Sequence, residues 1–490
     1  MARLAALLAL LAALAGCAST RFENAPLAAG QANVERRAVD VSHAQRPLVL
    51  VAISGGGSRA AALGWVVLRD LAGFRYADGG KTRSLTDDVA VVSSVSGGSV
   101  IAAYFALYGA QGLERFEPAF LAPDNMRTLG LSAANPVTWL TLAVTGSPRT
   151  DVVEKMFDDQ LFGGQTFAAL NRPGKPYLIL NATDMASGEV FAFTPNRFDD
   201  ICSDLDQEPI SVGVAASSAV PIVLSPIALR DFSAERCKDR PTPQWIKTKL
   251  NGRYAPYLDL ETYKLARYAN DLRHGSGSFR DIDYLYLLDG GLADNLGIHG
   301  LLEAIASPYA APIVAGAEGG DSILAAINAG SVRKIAVIVV NARADPADDI
   351  YRSSSRPGIL KMIGSVTSVP IDANTASVSS QMEVLLAQLN AAGSAASGNP
   401  KFAGLKVYPV KIDFDQLRAG DPAQRRLRDE VKEIPTLWTI SPANLRAIDE
   451  AGTLLLQQHP CFQRLLLDLG VQAGFIDEDF ARSGCRQASD

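Results

Sequence analysis

A serine in the segment Val92-Ser-Ser-Val-Ser96-Gly-Gly-Ser-Val100 has the surroundings of a nucleophile. Ser96 follows an apolar run that reads as a strand, and the residues from Gly97 onward read as a helix. A sharp strand-to-helix turn lifts a serine clear of the sheet, and the positive end of the helix favours an alkoxide there. The usual pattern is G-x-S-x-G, in which Ser94 would be a glycine. This segment alone therefore fits an ordinary glycine and serine turn equally well.

A glycine-rich loop one strand earlier predicts a set of hydrogen-bond donors. In Ser54-Gly-Gly-Gly-Ser-Arg59, the glycines Gly55, Gly56 and Gly57 leave their backbone N–H groups unshielded at the start of a helix. Such donors suit an oxyanion hole, and Arg59 has the reach to hydrogen-bond the loop. A phosphate-binding loop is the competing interpretation, but the pattern G-x-x-x-x-G-K-[ST] is absent. A plain tight turn is the simplest alternative.

An acidic residue in Asp289-Gly290-Gly291 follows another apolar run. Its carboxylate is expected at the carboxyl edge of a sheet, where open α/β proteins place their sites. The glycines behind it leave room for a neighbouring group. Asp294 and His299 are nearby alternatives, and an Asp-Gly turn without a chemical role is the simplest interpretation.

The elements that would position these residues predict an α/β fold. Continuous apolar strands that alternate with helices indicate a mainly parallel central sheet covered by helices on both faces. The predicted buried strands are Pro47–Ile53, Asp88–Val95, Tyr177–Thr183, Tyr284–Leu288 and Lys334–Asn341.

Together, the GGGxR loop, the serine elbow and the DGG segment, in that order, resemble the patatin-like phospholipase family. The resemblance covers roughly residues 47–342, and Ala215–Pro221 resembles a further block of the family. It implies a three-layer patatin-like fold with a nucleophile elbow between a strand and a helix. It also implies a dyad of Ser96 and Asp289, without histidine, cofactor or metal. Gly55–Gly57 and Arg59 would form the oxyanion hole. Departures at Ser54, Ala60 and Ser94 remove no reacting group.

The histidines agree with a dyad. His43, His274, His299 and His459 are scattered, without the spacing of a metal site. A Ser-His-Asp triad in α/β-hydrolase order would need a late histidine, for which His459 is the candidate.

The activity implied is that of a serine acyl-ester hydrolase of the phospholipase A, lysophospholipase or esterase type, acting through an acyl-enzyme on phospholipid or another fatty-acyl ester. Residues 124–146 or the aromatic stretch 226–280 would admit the acyl chains, unless their apolar residues simply pack in the core. A catalytically inactive lipoprotein that binds lipid or a partner is the alternative. The net charge of −6 and the lack of basic runs argue against nucleic-acid binding.

The N-terminus resembles a bacterial lipoprotein signal. One basic residue precedes an apolar run from Leu4 to Ala15, and Leu14-Ala15-Gly16-Cys17 resembles a lipobox. Acylation of Cys17 would anchor an exported protein to the cell envelope, and Ala18 and Ser19 resemble outer-membrane sorting. An ordinary secretory signal is the alternative. The polar residues that follow predict a flexible tether with a typical reach of about 30 Å.

We therefore expect four segments and two disulfides. The segments are a signal peptide (1–16), a lipidated tether (17–45), a catalytic domain (46–345) with an insertion (226–280), and a C-terminal extension that packs on it (346–490). An even number of further cysteines in an exported protein suggests disulfides. Of the three connectivities, proximity favours Cys202–Cys237 and Cys461–Cys485.

Overall fold

The computed structural model describes most of the chain outside the N-terminus. The described residues are 24–28, 30–33, 46–134, 149–221, 223–238, 240–251, 257–276, 282–306, 323–344, 359–394 and 402–487. The expected signal peptide, Cys17, His43 and the apolar residues 135–148 lie outside them.

An eight-stranded sheet forms the centre of the molecule, in the order β10-β9-β1-β4-β5-β8-β7, with β6 paired to β5. The five strands from β10 to β5 run parallel, and β6, β7 and β8 pair antiparallel to their neighbours. A separate hairpin consists of β2 and β3. The strands are β1 (Pro47–Ile53), β2 (Arg75–Asp78), β3 (Lys81–Ser84), β4 (Val89–Val95), β5 (Tyr177–Asp184), β6 (Val190–Phe193), β7 (Ile227–Arg230), β8 (Tyr284–Asp289), β9 (Lys334–Asn341) and β10 (Lys406–Asp413).

Helices surround this sheet. In the described residues they are α1 (Gly57–Gly73), α2 (Gly97–Tyr108), α3 (Leu113–Phe116), α4 (Asn125–Ala134), α5 (Arg149–Phe157), α6 (Pro195–Asp200), α7 (Ile210–Ser217), α8 (Ser233–Arg236), α9 (Gln244–Asn251), α10 (Tyr257–His274), α11 (Gly291–Asp294), α12 (Ile298–Ala306), α13 (Ile323–Asn328), α14 (Ile359–Ala392), α15 (Pro422–Glu433), α16 (Pro442–Gln458), α17 (Pro460–Asp468) and α18 (Glu478–Gly484). None of these helices is both long and apolar enough to cross a bilayer.

Strand β1 shows how the sheet is covered on both faces. Successive side chains of a strand point to opposite faces. Val49, Val51 and Ile53 enter the core beneath α1 and α2, whereas Leu48 and Leu50 enter a second core beneath α12, α13 and α14. The expected three-layer, mainly parallel α/β fold is confirmed.

Strand β8 differs from the expectation of a strand buried on both faces. It is antiparallel to β5 and β7, and its side chains alternate between buried and exposed. Tyr284 and Tyr286 are 39% and 40% exposed, whereas Leu285 and Leu287 are buried. A strand with antiparallel neighbours can have one solvated face, and large tyrosines hide this alternation in the sequence.

The C-terminal extension shares the sheet of the domain before it. Strand β10 pairs in parallel with β9 from Lys406 to Asp413, so the expected boundary at residue 345 does not divide two sheets. Helix α16 packs on α1, where Gly452 fits close to Leu63 and Val66.

A short N-terminal segment, the described residues within 24–33, docks on the body instead of forming part of a free tether. The Asn24 amide donates to Ser203 Oγ at 3.1 Å, and the Asn33 amide donates to the Ser203 carbonyl at 2.8 Å. Leu27 between them is buried. The two asparagine amides bond to protein acceptors instead of water. A polar composition alone does not reveal that a segment docks in this way.

Both disulfides join cysteines near in sequence. Cys202 is bonded to Cys237 beside the docked N-terminal segment, and Cys461 is bonded to Cys485, which links α17 to α18. These are the two pairs that proximity favours.

Candidate active site

The turn between β4 and α2 holds Ser96 in a conformation that side-chain-bearing residues rarely adopt, with φ 52° and ψ −125°. Close packing explains the glycines behind it. A Cβ on Gly97 would overlap the Gly57 carbonyl, and one on Gly98 would lie 2.5 Å from the Ser54 oxygen. The elbow therefore presses directly against the glycine-rich loop, as the sequence pattern predicts.

A network of buried hydroxyls supports the elbow from below. The Ser96 N–H donates to Ser217 Oγ at 2.9 Å, and Ser217 donates to the Asn181 carbonyl at 2.6 Å. Ser99 Oγ lies 2.9 Å from Ser217 Oγ and 3.2 Å from Ser94 Oγ. The serine that replaces the first glycine of the elbow pattern thus has a buried partner.

Ser217 and Asn181 are site residues that sequence reasoning did not single out. Ser217 lies within the small-residue block Ala215–Pro221, so the signal was present without an assigned role. Asn181 lies within the apolar strand β5, where a buried amide is the exception, and its amide donates to Ser93 Oγ at 2.9 Å. Together these residues join α7 and β5 to the elbow.

Asp289 stands at the end of β8 with its carboxylate turned to the nucleophile. One carboxylate oxygen accepts the Gly291 N–H at 2.8 Å, and the carboxyl group interacts with the Ser96 side chain. Its own N–H donates to the Ala219 carbonyl at 2.9 Å. A Cβ on Gly290 would overlap the Asn181 carbonyl, so the glycine after the acid is required by packing.

Burial raises the pKa of Asp289 to about 6, against the opposing effect of the hydrogen bonds from Gly291 and Ser96. The side chain is 8% exposed, and desolvation disfavours the charged carboxylate. The carboxylate is therefore a stronger base than one in water, while it remains ionised at neutral pH.

Two N–H groups of the glycine-rich loop are occupied by carbonyl oxygens. Gly55 donates to the Asn295 carbonyl at 3.0 Å, and Ser58 donates to the Leu437 carbonyl at 2.7 Å. The expectation that Gly55 is an oxyanion donor is wrong, because its hydrogen is already used within the fold. No sequence pattern marks Asn295 or Leu437 as the acceptors.

Gly56 and Gly57 keep their N–H groups available, since no acceptor for either lies within the described part of the chain. Their φ angles of 139° and 58° are open to glycine and strained for other residues. The loop flanks the nucleophile, because a Cβ on Gly55 would lie 3.3 Å from Ser96 Cβ. The arrangement offers two donors to an oxyanion formed at Ser96.

Arg59 does not join these donors. Its guanidinium bonds the Ala342 carbonyl at 2.7 Å, the Ile434 carbonyl and Thr436 Oγ1 at 3.2 Å. The side chain is 3% exposed. Its expected place in the oxyanion hole is therefore wrong: the motif arginine connects the loop to the far C-terminal half of the chain.

Asp294, His299 and His459, the alternatives for the acid and the base, bond to other parts of the fold. Asp294 accepts the Leu296 and His299 N–H groups and lies 3.3 Å from the His299 ring, at the start of α12. The two ring nitrogens of His459 face backbone N–H groups, Nε2 at 3.3 Å from the Lys411 nitrogen and Nδ1 at 3.2 Å from the Cys461 nitrogen at the start of α17, and the neutral ring can accept from one of them. Burial lowers the pKa of His459 to about 4. Neither histidine bonds Ser96 or Asp289.

The described part of the insertion lines a cavity of about 590 Å³ between α10 and β8. Tyr268 of α10 is buried and donates to Asp184 at 3.0 Å. The lining of the cavity is mixed, with the charged residues Lys264 and Arg267 beside the apolar residues Ile282 and Leu285. Of the other apolar candidates, Leu129 packs against the core.

A metal-binding cluster of three or more histidine, cysteine or acidic side chains is absent from the residues that the structure describes. The groups that the described residues bring together at the site are one hydroxyl, one carboxylate and backbone N–H groups. These are the groups needed to attack a carbonyl, move a proton and hold an oxyanion.

One comparison with known proteins, a family model, covers the residues of this site. The family model described as patatin-like phospholipase matches residues 51–302, which include Ser96, Asp289 and the glycine-rich loop. The structure of human GIVD cytosolic phospholipase A2 aligns with 12% identity and a TM-score of 0.40, over 87% of this chain and 62% of that one. The chain thus spans less than two thirds of the length of that protein. No curated protein matches significantly.

The family match covers just over half of the chain, and its matched residues contain the elbow, the acid and the donors in one site. The chain belongs to the patatin-like phospholipase family, a family of lipid hydrolases.

Proposed function

We propose that the protein hydrolyses the fatty-acyl esters of phospholipids or related lipids with a dyad of Ser96 and Asp289. The observation that carries this proposal is the interaction of the Ser96 side chain with a buried carboxylate whose pKa is raised to about 6. None of the described histidines bonds to either residue, which favours direct proton transfer between the two.

The first half of the reaction acylates the serine. Asp289 takes the hydroxyl proton while Ser96 Oγ attacks the ester carbonyl carbon, and the carbonyl electrons move to oxygen. The Gly56 and Gly57 N–H groups hold that oxyanion, each contributing about 2.7–4 kcal/mol of transition-state stabilisation. Collapse of the tetrahedral intermediate breaks the ester bond, and the leaving alcohol takes the proton from Asp289.

The second half regenerates the enzyme with the same groups. Asp289 takes a proton from water, and the hydroxide attacks the acyl carbonyl, which forms a second oxyanion in the same place. Collapse releases the fatty acid, and Ser96 recovers its proton from Asp289. One carboxylate thus acts alternately as base and acid, which a pKa near the working pH permits.

A fluorophosphonate probe tests the serine directly. Ser96 is expected to displace fluoride from phosphorus and to retain the phosphonyl group, located by peptide mass spectrometry. Folded wild-type protein should be labelled, whereas heat-unfolded protein and Ser96→Ala should not. Folded protein without an adduct on Ser96 would favour the inactive, lipid-binding alternative.

We also propose that the protein is exported and anchored to the bacterial envelope through acylated Cys17, with the outer membrane as its destination. The lipobox-like Leu14–Cys17 supports this. Cells fed an alkyne analogue of palmitate should incorporate it into wild-type protein, which should pellet with membranes. Cys17→Ala should lose both properties. Cys202→Ser with Cys237→Ser, which leaves Cys17 intact, should retain the label; equal labelling of Cys17→Ala would refute the anchor.

A further inference from the structure

A segment from the far C-terminal part of the chain touches the glycine-rich loop. Residues Ile434–Trp438, here the clamp segment, connect α15 to α16 and lie outside the residues that the family model matches. The Leu437 carbonyl accepts the Ser58 N–H at 2.7 Å, and a Cβ on Gly57 would overlap the same oxygen. The backbone of the clamp segment thus contacts Gly57, which carries a candidate oxyanion donor, and Ser58, the residue after it.

Arg59 binds the same segment from inside the protein. Two of its three acceptors, the Ile434 carbonyl and Thr436 Oγ1, belong to the clamp segment, and the third is the Ala342 carbonyl at the end of β9. A planar guanidinium bridges acceptors that a lysine ammonium cannot reach together. Among the described residues no carboxylate pairs with Arg59, so neutral oxygens hold a buried charge. Burial lowers the pKa of Arg59 to about 10, which leaves it charged at neutral pH.

The other end of the clamp segment is held by aromatic packing and a buried amide. The Trp438 ring packs edge-on against Phe157 at 5.1 Å and near Phe120 at 6.4 Å. Asn125, which is fully buried, donates to the Trp438 carbonyl at 2.9 Å. Contacts therefore hold both ends of the clamp segment, which restricts the position of the Leu437 carbonyl relative to α1.

This matters because the two candidate donors have no side chains to hold them. Gly56 and Gly57 lie in conformations that glycine leaves and enters easily, whereas an oxyanion hole works only when its donors are already aimed. The bond from Ser58 to Leu437 fixes the peptide that follows Gly57. Arg59 fixes the clamp segment that carries Leu437.

We infer that the clamp segment, held by Arg59 and Thr436, positions the Gly56 and Gly57 N–H groups for the oxyanion. Arg59 and Thr436 are then positioning residues that never touch the substrate. The inference rests on the proposed function of Ser96. It assigns a part of the active site to the C-terminal extension, beyond residue 302.

Two substitutions separate positioning from general stability. Thr436 is exposed, so Thr436→Val should fold while it removes one bond to Arg59; Thr436→Ser keeps the hydroxyl. With a soluble short-chain ester, Thr436→Val should lower kcat about 3- to 10-fold and Arg59→Lys about 100-fold, because small displacements of donors cost this much. KM should change less than about 2-fold, since the ground state does not use these donors. Thr436→Ser should restore kcat.

A trifluoromethyl ketone adds a readout that a structural role would not change. Its adduct with Ser96 places an oxyanion in the hole, so its affinity should fall by the same factor as kcat. Asp421→Ala is the matched control: it removes the N-cap of α15, which precedes the clamp segment and where Asp421 accepts two N–H groups. It should lower the Tm and leave kcat within about 2-fold.

The outcomes separate this inference from the function on which it rests. Full kcat in folded Thr436→Val and Arg59→Lys, with Ser96→Ala inactive, would overturn the positioning role alone. A kcat that falls with the Tm in Asp421→Ala as much as in Thr436→Val would also overturn it. Full hydrolysis by Ser96→Ala would refute the proposed function, and this inference with it.

Discussion

Replacing Ser96 with alanine is expected to lower hydrolysis of a fatty-acyl ester by at least about 10⁴-fold, because no acyl-enzyme can form without the hydroxyl. Alanine meets the same backbone conformation at φ 52°, and the N–H bond to Ser217 does not involve the lost oxygen. The free energy of unfolding should therefore change by less than about 1 kcal/mol.

Initial rates on purified folded protein, followed by release of a chromogenic alcohol, measure this effect. Ser187→Ala is a suitable control, since Ser187 lies on an exposed turn after β5 and bonds Asp184. It should keep wild-type kcat. Residual activity of Ser96→Ala above about 1% of wild type, after contaminating hydrolases are excluded, would assign the nucleophile to another residue.

Replacing Asp289 with asparagine should lower kcat about 10²- to 10⁴-fold, the usual contribution of a general base. Asparagine keeps an oxygen for the Gly291 N–H, and Thr183 bonds the main-chain carbonyl of Asp289 at 2.9 Å. The substitution therefore removes the base and little else. An Asp289→Asn protein with wild-type kcat would exclude the dyad.

The pH dependence of wild-type kcat/KM should report the same carboxylate. Asp289 must be ionised to accept the proton, so the rate should rise with pH through an apparent pKa of about 6, the value that burial gives it. The residual kcat/KM of Asp289→Asn should not show this rise with pH. A flat profile between pH 5 and 7 in the wild-type enzyme would contradict Asp289 as the base.

Asp289→Asn should also be more stable than the wild type above pH 7. The folded-state pKa of about 6 exceeds the ordinary aspartate value of 3.8. The stability of the wild type is therefore full below about pH 4 and falls as the pH rises through 6. Each unit of pKa shift corresponds to 1.36 kcal/mol, which gives about 1–3 kcal/mol at pH 8. Thermal melts of both proteins at pH 4 and 8 measure this difference.

Asp231 offers a matched control for these experiments. Burial also raises its pKa to about 6, and it bonds the Ser233 N–H at 2.7 Å without bonding Ser96 or Asp289. Asp231→Asn should therefore raise stability at pH 8 in the same way and leave kcat unchanged. A loss of kcat in both variants would attribute the effect to buried charge in general.

The reacting groups were predictable because each lies at a strand end that the local pattern marks. Ser96 and Asp289 follow apolar runs and precede glycines, and these positions survive in the structure. Burial of Asp289, in contrast, depends on β5, α7 and α11 closing around it. That closure depends on contacts such as the bond from Asp289 to Ala219, seventy residues earlier in the chain, which no local pattern encodes.

The glycine-rich loop shows where sequence reasoning stops. Three glycines predict three exposed N–H groups, but Gly55 donates to Asn295 and Ser58 to Leu437. Arg59 likewise bonds residues 283 and 375 positions away. A motif predicts which kind of group is present. The orientation of that group depends on distant segments, whose own sequences give no sign of this role.

The docked N-terminal segment would limit how far the body could move from a membrane to which Cys17 was anchored. If Cys17 carries the lipids, seven residues would separate them from Asn24, whose side chain is bonded to Ser203 and Arg230. Seven residues, fully drawn out, span at most about 25 Å. The docked segment, with the disulfide Cys202–Cys237 beside it, would then stay within this distance of the bilayer, while the body could still rotate about its attachment.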